Sequence, residues 1–288
     1  MDETTAILFP GQGSHAGGMR ELVERHEPEL ATIAVEEVGE DPFARAGEAT
    51  RFAQPAILAA SLASWRRAGS PAGAYFAGHS LGELSALAAA GAIDHPDALR
   101  LAVQRGRLMD EAARRSPGGM VALLGDREVA AEVAVATGLV LANDNGPTQT
   151  VLAAPADKLA DAEAAAKGRG LRAMRLPVAG AFHSEAMAPA VEPFREALAA
   201  VEIGAPRVPV ISCASARPFG EPPEIREQLA AALVQPVRWG ETLAYLHRAG
   251  VRSFLESGPG RTLTGMVRRA LDGVVASVLE PWEETAHV

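Results

Sequence analysis

Five residues, Gly78-His79-Ser80-Leu81-Gly82, constrain this chain more than any other stretch. They fit Gly-x-Ser-x-Gly and stand between an apolar run over 74–77 and a helical pattern over 83–90. A strand that must become a helix across so few residues makes a sharp elbow, which belongs to a sheet with helices packed on it. The glycines let neighbouring backbone approach closely, and the turn lifts the Ser80 hydroxyl above the sheet edge. The helix start then aims free N–H groups at the point where an oxyanion would develop. The plainer reading is a glycine turn with a capping serine. The strand and helix patterns on either side favour a nucleophile.

The rest of the chain supports an α/β class. Strand-like runs over 6–9 and 74–77 alternate with helical patterns over 55–65 and 83–90, which predicts a mainly parallel sheet. Ser116-Pro117-Gly118-Gly119 breaks a long helical pattern. Beyond it the expected order is strand 120–124, helix 127–136, strands 139–142 and 150–153, helix 156–167 and strand 172–177. That is β-α-β-β-α-β, the ferredoxin-like order, and it predicts a small domain inserted over 118–184.

Composition narrows the function. Of 288 residues, 48% are hydrophobic and 22% charged, the usage of a soluble globular enzyme. A net charge of −9 argues against a nucleic-acid partner, which needs clustered positive charge. The densest positive stretch is Lys167, Arg169, Arg172 and Arg175. No apolar run is long enough to span a membrane, and the start lacks the basic opening of a secretory signal, so the cytoplasm is expected. The single cysteine, Cys213, excludes an internal disulfide or a multi-cysteine metal site and reads as a buried, inert thiol.

A serine hydroxyl needs a base. The histidines stand at 15, 26, 79, 95, 183, 247 and 287. His26 and His287 lie in polar surroundings, and His247 reads as a helix surface residue. His79 adjoins Ser80, so its side chain should point elsewhere, while His15 is placed to border the site. His183, in Gly180-Ala181-Phe182-His183-Ser184 at the expected domain junction, is the preferred base. No carboxylate is apparent as its orienting partner, and a backbone carbonyl can serve.

Over 98–113 a helix carries Ala98, Leu101, Arg105, Leu108 and Ala112 on its apolar face. A buried guanidinium must meet an anion. The plain outcomes are an internal salt bridge to an Asp or Glu, or snorkelling to water. The other is the carboxylate of a substrate gripped by the planar fork. Spacing alone leaves these open.

Together these pieces resemble the malonyl-coenzyme A:acyl carrier protein transacylase family, including polyketide synthase acyltransferases. The resemblance is carried in order by Phe9-Pro10-Gly11-Gln12-Gly13-Ser14, Gln54-Pro55-Ala56, Gly78-His79-Ser80-Leu81-Gly82-Glu83 and Gln104-Arg105-Gly106-Arg107. It continues through Ala181-Phe182-His183-Ser184, Gln235-Pro236-Val237-Arg238-Trp239 and Gly258-Pro259-Gly260. It implies an α/β-hydrolase-like large domain (1–117 and 185–288) holding the ferredoxin-like one (118–184). It further implies that Ser80 is acylated, that His183 is its base, and that the backbone N–H groups of Gln12 and Leu81 form the oxyanion hole. Arg105 would then bind the malonyl carboxylate, and Phe182 would crowd an α-methyl branch and so favour malonyl. The Gly180-Ala181-Phe182-His183-Ser184 form is similar to free-standing acyltransferases that serve polyketide synthases in trans. The family pattern has Asn or Gln where this chain has Ala232, although a backbone carbonyl contact to the histidine survives that change. The implied substrate is malonyl-CoA, the partner a phosphopantetheinylated acyl carrier protein and the assembly a monomer, with no bound cofactor or metal. An acyl-thioester hydrolase with the same Ser/His pair is the rival reading. A non-catalytic carrier-binding module is a more distant one.

Overall fold

The computed structural model describes residues 4–279 and 281, so His287 lies outside the described residues. In chain order its first elements are β1 (Thr5–Phe9), α1 (Met19–His26), α2 (Pro28–Val38), α3 (Thr50–Arg67), β2 (Tyr75–Gly78), α4 (Gly82–Ala89) and α5 (His95–Arg115). Next come β3 (Gly118–Leu124), α6 (Arg127–Thr137), β4 (Val140–Asp144), β5 (Gln149–Pro155), α7 (Leu159–Gly168) and β6 (Arg172–Arg175). The last are α8 (Ala188–Ala199), β7 (Val210–Ile211), α9 (Pro222–Ala231), β8 (Val237–Arg238), α10 (Trp239–Arg248), β9 (Ser253–Glu256), α11 (Thr262–Ala270) and β10 (Val275–Val278).

One sheet runs β10-β9-β1-β2-β7, and every pair in it is parallel. Parallel strands are covered on both faces, so they read as continuous apolar runs. Thr5–Phe9 is buried along its whole length. Side chains still alternate along a strand. Ile7, Phe9 and Phe76 therefore pack toward α3, α4 and α5, while Ala6, Leu8 and Ala77 pack toward Trp239, Leu243, Leu263 and Val267 of α10 and α11.

The second sheet runs β6-β3-β5-β4-β8. Its first four strands pair antiparallel, and β8 joins β4 in parallel from much later in the sequence. Val121, Leu123 and Leu152 pack under Ala130 and Val133 of α6 and Ala162 and Ala166 of α7. The other face, with Met120, Ala122, Val151 and Ala153, joins the core beneath the first sheet. The molecule is thus a mixed α/β fold with two sheets, and its elements over 118–175 follow the expected order.

Two local expectations fail. The helix expected over 55–65 begins at Thr50 and carries Pro55 in its interior. The break at 116–119 stops at Pro117, because Gly118 and Gly119 are already part of β3. A Cβ on Gly118 would lie 2.7 Å from the Ala154 carbonyl oxygen and 2.9 Å from the Ala181 Cβ. That glycine therefore serves a close approach of the 180–184 loop rather than a turn. Among the described residues no helix is long and apolar enough to cross a membrane.

Candidate active site

The elbow is built at the end of β2. Ser80 has φ 53°, in the left-handed region that a side chain rarely adopts. A Cβ on Gly78 would sit 1.9 Å from the Gly82 carbonyl carbon, and one on Gly82 would sit 2.1 Å from the Phe9 carbonyl oxygen. Neither position accepts a side chain, so the two glycines are what let α4 start directly against β1 and β2.

The 180–184 loop arrives from the other side with His183 also left-handed, at φ 58°. The Ser184 hydroxyl donates to the Ala181 carbonyl at 2.6 Å and ties the loop beneath it. His183 Nε2 then lies 2.9 Å from Ser80 Oγ. Its Nδ1 faces two carbonyls, Ala232 and Gln235, each at 3.0 Å. Carbonyls only accept, so the proton sits on Nδ1 and Nε2 is left as the acceptor for the serine hydroxyl. The departure at Ala232 therefore leaves the histidine's support intact, with Gln235 sharing the contact. Burial, then the nearby Arg105 cation, pushes the His183 pKa down to about 3.

The long helix α5 starts at Asp94, whose carboxylate accepts from Asp97 N–H at 2.7 Å, and ends before Pro117. Arg105 lies on its apolar face, 5% exposed. Its Nη1 donates to Gln54 Oε1 at 2.9 Å and its Nη2 to Ser80 Oγ at 3.1 Å. Among the described residues no carboxylate forms an ion pair with it, which removes the internal salt bridge left open by the sequence. Burial lowers its pKa to about 10, so it stays charged at neutral pH.

A cleft of about 430 Å³ opens beside this cluster, lined by Gln12, His15, His79, Asn145 and Phe182 among others. Ser80, His183 and Arg105 adjoin these residues but are not part of the cleft lining. The Gln12 side chain donates to Thr50 Oγ1 at 3.0 Å. Among the described residues the backbone N–H groups of Gln12 and Leu81 take part in no turn or cap bond. The Phe182 ring is buried and lies where a side chain at 180 would start, since a Cβ on Gly180 would be 2.5 Å from its Cε1.

His79 and His95 do not compete for the base position. His79 Nε2 meets Asn145 Oδ1 at 2.9 Å, with its ring edge-on to Trp239, so it points away from Ser80. His95 Nδ1 meets Glu27 at 2.9 Å. Cys213 is buried as expected, and its Sγ accepts the Ser80 backbone N–H at 3.3 Å. Burial pushes its thiol pKa well above the usual range. The Ala232 carbonyl was expected behind His183, and the residues left without a role are Gln54, Asn145 and the Gln235 carbonyl. Gln54 alone left a signal, as a polar residue in a helix buried almost all round. A carbonyl leaves none.

Known proteins align with the chain over most of its length. The family described as "Acyl transferase domain" matches residues 7–283. The malonyl CoA-acyl carrier protein transacylase of Escherichia coli K12 is 38% identical over 293 residues, with 95% of each chain covered. The polyketide biosynthesis protein ThaF of Burkholderia thailandensis is 42% identical over 285 residues, which cover 92% of this chain and 24% of that longer protein. A solved structure described as a holo type II PKS acyl-carrier protein in complex with its malonyl-transacylase has TM-score 0.85 and 35% identity. It covers 98% of this chain and 96% of that one. A match that reaches from the first strand to beyond the last leaves one placement: the chain belongs to the acyl transferase domain family.

Proposed function

We propose that this enzyme moves a malonyl group from malonyl-CoA, through an ester on Ser80, to the phosphopantetheine thiol of an acyl carrier protein. The pathway served is polyketide or fatty acid synthesis. The observation that carries this reading is Arg105: a buried guanidinium without a carboxylate partner, 3.1 Å from the serine hydroxyl. A thioester whose acyl group ends in a carboxylate supplies an anion that the fork can bind directly at that point.

The chemistry follows from the hydrogen bonds. His183 Nε2 accepts the Ser80 proton as Oγ attacks the thioester carbonyl. The N–H groups of Gln12 and Leu81 hold the oxyanion. The C–S bond breaks, coenzyme A leaves as its thiol with the proton carried by His183, and malonyl stays on Ser80. The carrier thiol then gives its proton to His183 and attacks the ester, which restores Ser80. Phe182, packed against Gly180, narrows the space open to an α-branch. A hydrolase that edits simple acyl chains with the same pair would bring no terminal carboxylate to meet Arg105. We read residues 118–184 as a ferredoxin-like unit set into a hydrolase-like domain of 1–117 and 185–288. The exposed Lys167, Arg169 and Arg172 are the positive face offered to an acidic carrier, whereas Arg175 is held by Glu163.

Intact-protein mass spectrometry tests the reading. Incubation with malonyl-CoA should leave one malonyl adduct, mapped to Ser80, and Ser80→Ala should carry none. An adduct on Cys213, or labelling that survives in Ser80→Ala, would sink it.

A further inference from the structure

Glu83 stands in the first turn of α4, one residue past the second elbow glycine, and is 2% exposed. A carboxylate so deeply buried needs donors or a compensating cation. Its Oε1 accepts the Cys213 backbone N–H at 2.7 Å. The Cys213 sulfur accepts the Ser80 backbone N–H at 3.3 Å, and Ser80 Oγ accepts from Arg105 Nη2 at 3.1 Å. A chain of contacts therefore runs behind the nucleophile from a buried anion to a buried cation. Among the described residues Arg105 is the only buried arginine or lysine. Glu83 forms no ion pair with it, so the guanidinium keeps its fork while an opposite charge lies across the elbow. Burial pushes the Glu83 pKa up, opposed by the Cys213 N–H and more weakly by Arg105, and burial lowers that of Arg105, opposed by Glu83.

We propose that Glu83 is a positioning residue of this site, fixing the Ser80 elbow through Cys213 and moderating the pull of Arg105 on the acyl carboxylate. The inference rests on the reading that Arg105 binds that carboxylate. Two jobs are joined in one side chain. The oxygen holds the segment after β7 against the elbow, and the ionised carboxylate offsets Arg105 in the unloaded site. The second job weakens substrate binding, because Glu83 repels the same carboxylate that Arg105 attracts.

Glu83→Gln separates the two jobs. The amide oxygen can still accept from Cys213 N–H, but the negative charge is gone. The KM for malonyl-CoA should fall roughly three- to tenfold, and the malonyl-over-acetyl ratio of kcat/KM should rise by a similar factor. Cys213→Ala removes the sulfur behind Ser80 and leaves the charge. It should lower kcat for both thioesters together and leave their ratio alone. An unchanged or reduced malonyl-over-acetyl ratio in folded Glu83→Gln overturns the proposal. So does a Cys213→Ala enzyme with wild-type kcat, which keeps the test decisive if Glu83→Gln does not fold. A wild-type enzyme that never forms the malonyl adduct overturns the malonyl reading instead.

Discussion

Arg105→Ala should turn this enzyme from malonyl-CoA toward acetyl-CoA. Removing the guanidinium leaves the substrate carboxylate without its partner in a buried pocket, a loss of about 3–5 kcal/mol when burial is complete. That corresponds to roughly two to three and a half powers of ten in kcat/KM for malonyl-CoA. Acetyl-CoA has no carboxylate to strand and should react no worse, since an apolar space replaces an unpaired cation. Stability should fall modestly. The lost direct contacts are those to Gln54 Oε1 and Ser80 Oγ, and the attraction of Glu83 across the elbow goes with them. A stranded buried acceptor costs about 1–3 kcal/mol. Rates with both thioesters and a melting curve for each protein check this. A variant that loses malonyl and acetyl transfer alike would mean that Arg105 acts on the fold or the nucleophile and not on the substrate.

His183→Ala should slow acylation by about a hundredfold or more, the usual worth of a positioned general base. His79, turned toward Asn145, and His95, turned toward Glu27, are not placed to take over. The pH dependence gives an independent handle. With its pKa held near 3, His183 stays neutral through the range in which an ordinary histidine gains its proton. Wild-type acylation should therefore hold level from pH 8 to about 5 rather than fall near 6.5. The stability linkage has a definite sign. The folded pKa lies below the unfolded one, so the contribution is complete above about 6.5 and is lost as pH falls toward 3. His183→Ala should blunt that acid loss, and melting curves across the same pH range would reveal it. Near-normal acylation in the variant would move the base elsewhere, with His15 first in line.

The chain's periodicity makes much of the fold legible. Strands buried on both faces read as apolar runs, and the β-α-β-β-α-β order emerged because each turn carries its own breaker. Gly118 misled because glycine serves two purposes. It opens turns, and it also lets a loop press against a strand, and the sequence does not say which. Pro55 misled for a related reason, since tertiary burial of α3 overrides a residue that usually marks a helix start. In the site, Ser80 was legible from its flanking glycines and Arg105 from its place on an apolar stripe. The choice between an internal carboxylate and a substrate for Arg105 depended on what three separate elements place around it. The Ala232 carbonyl followed from the resemblance, whereas that of Gln235 was beyond reach, because any residue can present one.

Ser80 and His183 share one backbone property: both are held left-handed, where an L-residue with a side chain sits about 1–2 kcal/mol above its relaxed state. The surrounding fold sustains both departures, and glycine would sit in either place with less strain. For a lineage that no longer needed the proposed reaction, a change to glycine at 80 or 183 would relieve that backbone strain. A serine and a histidine at these two points therefore stand there at a cost to the backbone, which the proposed acyl chemistry would account for.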